Sequence, residues 1–225
     1  MLEVIYEDNH LIAINKRSGD ISQGDKTGDL PLSDYIKTYL KKKYNKLGNV
    51  YLGTIHRIDR PTSGVLVFAK TSKALSRMNE LFRENNIQKT YWAVVKNQTP
   101  NIEGNLKNYL SKNNKQNKSY VCKKNDGKLA ELEYKTIKKL NNYYFLEIKP
   151  KTGRHHQIRV QLSNIGCPIK GDLKYGDKRS NKDQSIHLHA RKIEFIHPVS
   201  KEVIKISAPT PSDVIWDSII EGQHQ

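Results

Sequence analysis

Three short stretches set ionisable side chains against apolar ones, the arrangement a reactive centre needs. They are His56-Arg57-Ile58-Asp59-Arg60-Pro61-Thr62-Ser63-Gly64, Lys89-Thr90-Tyr91-Trp92-Ala93-Val94 and Thr152-Gly153-Arg154-His155-His156-Gln157-Ile158-Arg159-Val160. Asp59 stands in a turn before an apolar run, with Arg57 and Arg60 as near neighbours. In extended backbone Arg57 and Asp59 point to the same side. An aspartate near arginines stays ionised, and an ionised carboxylate can serve as nucleophile or base. The same residues would also suit a surface ion pair, and Asp34, Asp172 and Glu131 offer comparable carboxylates.

The elements that must position these groups read as a mixture of strands and helices. Leu2, Val4 and Tyr6 alternate and Leu11-Ile12-Ala13-Ile14 is apolar, which predicts paired strands. Pro31 can open a helix at its first position, with Leu32, Tyr35, Ile36, Tyr39 and Leu40 on one face and Lys41-Lys42-Lys43 at the negative end of its dipole. Gly64 to Ala69 reads as a buried strand. Thr71 or Ser72 can cap a helix carrying Leu75, Met78, Leu81 and Phe82. A strand is expected over 90–95. Residues 97–128, rich in Asn and Lys, read as extended pieces and mobile surface loops. Glu131 to Ile137 and Tyr143 to Ile148 alternate as a hairpin, with Asn141-Asn142 as a turn that tolerates left-handed backbone. A helix is expected from His156 to Ile165, with Ile158, Leu162 and Ile165 inward and Gly166 closing it. Strands near 187–195 and 203–207 and a short C-terminal helix complete an irregular order, which favours α+β over repeating βαβ.

The three stretches together resemble RluA-type RNA pseudouridine synthases. The first is similar to their His-Arg-Leu-Asp-x-x-Thr-Ser-Gly signature, with Ile58 for leucine. The second is similar to their Lys-x-Tyr segment, and the third to Gly-Arg-Thr-His-Gln-Ile-Arg, with His155 for threonine. Gly171-Asp172-Leu173-Lys174-Tyr175-Gly176, Leu188-His189-Ala190, Phe195-Ile196-His197-Pro198, Ala208-Pro209 and the opening Tyr6 to Lys16 also fit. Arg17 stands where the family usually has proline. The resemblance implies one catalytic domain over residues 1–225, without the small N-terminal RNA-binding extension of many relatives. Its fold would be the pseudouridine synthase fold, a mixed, bent β-sheet in two subdomains with flanking helices and a central cleft. The implied activity is isomerisation of specific uridines in rRNA or tRNA to pseudouridine. Asp59 would be the catalytic carboxylate, attacking the anomeric carbon or taking a ribose proton. Tyr91 would stack on the uracil and assist proton removal at C5, and Arg159 would hold Asp59 ionised. Arg57, Arg60, Lys89, Arg154, His156, Gln157 and Lys174 would contact RNA. No cofactor is implied. A non-catalytic RNA-binding module or RNA chaperone could use the same cleft.

Composition agrees with an RNA partner. Of the 225 residues, 39 are Lys or Arg against 23 Asp or Glu, a net charge of +16, which favours a polyanion. There is no amphipathic basic helix, no signal-like N-terminus and no apolar stretch near the ~20 residues of a membrane helix, so no membrane partner is expected. Cys122 and Cys167 form no CxxC pair, which points to free thiols and a cytoplasmic setting. His187 and His189 share a strand face, but no carboxylate set with metal-ligand spacing accompanies them, so no metal is expected. Monomer is the default expectation.

Overall fold

The computed structural model describes residues 2–24 and 28–221. The chain divides into two compact units, Met1–Gln88 with Ala190–Pro211, and Lys89–His189 with Ser212–Gln225.

The first unit is built on two central strands, β2 (Leu11–Lys16) and β4 (Ser63–Ala69), paired antiparallel with Ile14 opposite Leu66. β1 (Val4–Glu7) adds to β2, the short β3 (Gly53–Thr54) pairs with β4, and β10 (Leu188–Ile196) with β11 (Val203–Ser207) forms a further antiparallel ladder. Both faces of β2 and β4 are covered, which is why they read as unbroken apolar runs. Ile12, Ile14, Leu66 and Phe68 pack on Leu32, Ile36 and Leu40 of α1 (Leu32–Lys43). Leu11, Ala13, Val65 and Val67 pack on Ala74 and Met78 of α2 (Ser72–Arg83). α1 starts one residue after Pro31, and Tyr35 faces outward instead of joining its buried face. Thr71 caps α2, its Oγ1 accepting from the Ala74 N–H at 3.1 Å.

The second unit is an antiparallel ladder in the order β5 (Ile87–Val95), β9 (Tyr144–Pro150), β8 (Lys128–Lys139), β6 (Glu103–Asn113), β7 (Lys118–Cys122). Residues 97–128, expected as extended pieces and surface loops, hold two regular paired strands. Their polarity hid the pattern: Leu106 and Leu110 share their face of β6 with Asn108, which accepts a hydrogen bond from Gln161 of α3. The β8–β9 hairpin forms as expected, but Asn141 and Asn142 do not take left-handed backbone. Tyr91, Ala93, Val95, Leu146 and Ile148 face Ile158 and Leu162 of α3 (Gln157–Asn164), whereas Trp92, Val94 and Phe145 face Trp216 and Ile219 of α4 (Val214–Glu221). Among the described residues, no helix is long and apolar enough to cross a membrane.

Candidate active site

Asp59 sits on the turn between Ile58 and Thr62, which is fastened through its main chain. All five carbonyls from 58 to 62 accept a hydrogen bond. Ser22 Oγ donates to Ile58 O (3.2 Å), the Thr62 N–H to Asp59 O (3.0 Å), the Gly19 N–H to Arg60 O (2.9 Å) and Ser18 Oγ to Pro61 O (3.1 Å). Lys16 closes the set. Its ammonium donates to Arg60 O (3.0 Å), Thr62 O (2.8 Å) and its neighbour Arg17 O (2.8 Å). Lys16 is 1% exposed, so three carbonyls take the place of its water shell. Burial pushes its pKa down to about 7, while the Asp20 and Asp59 carboxylates pull it back up. Segment 16–22 thus clamps the Asp59 turn, and only the carbonyl of residue 17 takes part, so an arginine can stand where proline is usual. Gly64, at φ +115°, ends the turn, and a Cβ there would lie 2.3 Å from Ala190 O. His56 is held in place by accepting the Val67 N–H at Nε2 (3.1 Å) and stacking on Phe82.

In the second unit Tyr91 is half-buried on the strand face that α3 covers. Arg159 on α3 is buried, and its guanidinium is held by Asp172 in a two-point fork, Nε to Oδ2 at 2.7 Å and Nη2 to Oδ1 at 2.8 Å. Its side chain is 5% exposed and that of Asp172 1%. The Tyr175 ring lies 5.0 Å from the guanidinium carbon. Such a fork fixes the plane of the guanidinium. α3 is entered through His156 in left-handed backbone. His156 Nδ1 pairs with Tyr175 OH at 2.9 Å, and burial, then the Arg159 charge, pushes its pKa down to about 2, so the ring is neutral. Gln157 is buried and turned inward: its Oε1 accepts from Thr152 Oγ1 (2.7 Å) and the Arg154 N–H (2.9 Å), and its Nε2 donates to Glu131 O (3.0 Å).

Residues 10–164 match the family model described as RNA pseudouridylate synthase. The chain belongs to that family. As an RNA pseudouridine synthase it is an isomerase acting on uridines in RNA. The synthase is 35% identical over 211 residues to the ribosomal large subunit pseudouridine synthase C of Rickettsia prowazekii, covering 92% of this chain and 68% of that one. It is 37% identical over 220 residues to the protein of the same name from Buchnera aphidicola subsp. Acyrthosiphon pisum, covering 93% and 68%. Its α+β fold is that of human RNA pseudouridylate synthase domain containing 4, with a TM-score of 0.79, 23% identity and coverage of 95% and 90%. The corresponding human domain containing 1 gives 0.74, 19% identity and coverage of 100% and 95%.

The synthase separates carboxylates that look alike in sequence. Asp34 makes a solvent-exposed pair with Lys37, and Glu131 pairs with Lys107 on the neighbouring strand. Asp172 is spent on Arg159, whereas Asp59 is half-buried on its clamped turn. Arg60 points away to an exposed pair with Asp29 (2.7 Å). Arg57 and Arg154 are exposed, Arg154 donating from Nε to Leu129 O (2.8 Å). Lys174 is exposed and donates to Asn117 O (3.2 Å). Lys89 is half-buried, and burial lowers its pKa. His187 is held by Asn181 at Nδ1 (3.0 Å) and Asp213 at Nε2 (2.8 Å). Among the described residues no three His, Cys, Asp or Glu side chains are grouped so as to hold a metal ion. Lys16 and Asp172 are positioning residues that motif reading passed over. For Lys16 the signal was a cation in register with Ile12 and Ile14 on a buried face.

Proposed function

We propose that the synthase isomerises uridines of large-subunit ribosomal RNA, with Asp59 as the catalytic carboxylate and Tyr91 and Arg159 as further catalytic residues. The uracil N1–ribose bond breaks, the base turns, and C5 bonds to the same ribose carbon. Asp59 is the ionised carboxylate that drives the bond cleavage. Tyr91 stacks on the everted uracil and helps to remove the C5 proton. Arg159, its plane fixed by Asp172, offers a positive charge to the nucleotide. Extruding the base costs a few kcal/mol, which RNA contacts from exposed cations such as Arg57, Arg154 and Lys174 offset.

The observation that carries the site reading is the clamp: a turn whose five consecutive carbonyls are all engaged fixes the backbone from which the Asp59 carboxylate projects. Preorganisation of this kind is what a reactive group needs and a surface ion pair does not. The ribosomal target rests on the relatives' names. The test is to incubate the protein with unmodified transcripts of large-subunit rRNA and of tRNAs and to map pseudouridine in each. Conversion in the ribosomal transcript is expected; conversion only in the tRNAs would overturn the target.

A further inference from the structure

The second unit carries an open pocket of about 660 Å³ that the proposed chemistry does not use. Its walls are the β6–β7 hairpin, the turn leading into β8 and the loop preceding α3, represented by Lys112, Ser119, Lys128, Gly153, Arg154 and His155. That volume is in the range of small-ligand sites and admits a nucleotide. Lys112, Lys128 and Arg154 stand exposed around it, and Asp126 is the one acid of its lining among the described residues.

His155 gives the pocket a polar wall. Its Nε2 lies 3.1 Å from Asn117 Oδ1, which can only accept, so Nε2 donates. Its Nδ1 lies 2.8 Å from Ser119 Oγ, and that hydroxyl also lies 2.8 Å from His155 O. The hydroxyl has one proton. With that proton on the carbonyl, the hydroxyl oxygen faces Nδ1, so both ring nitrogens are held in place. Its face stacks at 3.7 Å on His156, a neutral ring. Three cationic side chains, Lys112, Lys128 and Arg154, around one open pocket repel one another until an anion enters.

We propose that this pocket takes a phosphate-bearing nucleotide of the RNA strand undergoing modification, outside the reacting uridine. The inference rests on the RNA reading above and deepens it. The backbones of Lys112 and Lys128 are held on β6 and β8.

The test is filter binding of an unmodified large-subunit rRNA transcript across a salt series, with pseudouridine formation measured in parallel on the full chain. Lys112→Glu with Lys128→Glu should weaken binding about tenfold or more and lower the slope of log affinity against log salt by roughly 1–2. Gly153→Glu is the second variant. A Cβ there meets nothing within 4 Å, so the fold is kept while a negative charge enters the rim; a loss of about fivefold or more is expected. Variants that bind within about twofold of the parent overturn the pocket, whether or not the parent forms pseudouridine. Variants that lose binding support it, even if the parent forms none and the catalytic reading fails. Displacement of the transcript by sub-millimolar uridine monophosphate, abolished in Gly153→Glu, would reassign the pocket to a free nucleotide and overturn the RNA assignment.

Discussion

Lys16→Met tests whether the clamp holds the turn on which Asp59 sits. The substitution keeps an aliphatic stem of similar length and removes the ammonium. Arg60 O retains the Gly19 N–H at 2.9 Å, but the buried Thr62 O and the partly buried Arg17 O lose the donor shown for each. An orphaned buried acceptor costs about 1–3 kcal/mol and a partly solvated one less, so roughly 2–4 kcal/mol is expected at pH 9. For a chain of this size that lowers Tm by roughly 6–12 °C. The loss has a pH signature. Burial places Lys16 at about 7 in the folded protein against about 10.4 unfolded. Between those values the unfolded chain binds a proton that the folded one does not, so stability rises with pH in the parent, by up to ~1.4 kcal/mol per unit. The variant lacks this contribution. The gap between parent and variant should therefore narrow as pH falls from 9 toward 7. Thermal melts followed by circular dichroism across that range measure it. A gap of under about 2 °C at pH 9, or one that widens on acidification, refutes the reasoning.

Asp172→Asn breaks the two-point fork that fixes the buried Arg159 guanidinium, so it should cost about 3–5 kcal/mol in denaturant melts and slow single-turnover isomerisation. Gly64→Ala drives a Cβ to 2.3 Å from Ala190 O at a positive φ; a loss of at least about 3 kcal/mol is expected by thermal denaturation. Tyr91→Phe should keep RNA affinity in filter binding while lowering kcat about a hundredfold or more. Burial holds the His187 pKa near 4, so between the ordinary histidine value and that pH the unfolded chain binds the extra proton and stability falls as pH falls. His187→Gln should flatten that acid limb of the Tm profile.

Much of this was legible in the sequence where side-chain period and motif coincide. The apolar runs of β2 and β4, the Thr71 cap and the β8–β9 hairpin follow from alternation and turn chemistry alone. The regular β6–β7 hairpin did not, because the face of β6 that carries Leu106 and Leu110 also carries Asn108, which breaks the apolar alternation. Asp59 stood out by motif, yet the reason it is fixed lies in carbonyls of 58–62 and in donors from 16–22, a pairing that no local period reveals. Asp172 looked like any other acid until the fold brought it to Arg159, thirteen residues away in sequence and one fork away in space. Gln157 and Arg60 were expected to meet RNA. Gln157 is turned inward to hold the loop before α3, and Arg60 to pair with Asp29, because a buried amide and a nearby carboxylate satisfy them first.

The central claim is that a single carboxylate carries the isomerisation. The most direct measurement is single-turnover pseudouridine formation in an unmodified large-subunit rRNA transcript by the parent and by Asp59→Asn, with RNA affinity measured beside it. The account predicts conversion by the parent, none by the variant, and affinities within about twofold of each other, since the substitution preserves shape and leaves the phosphate contacts intact. Pseudouridine formed by Asp59→Asn at the parent's rate would contradict it.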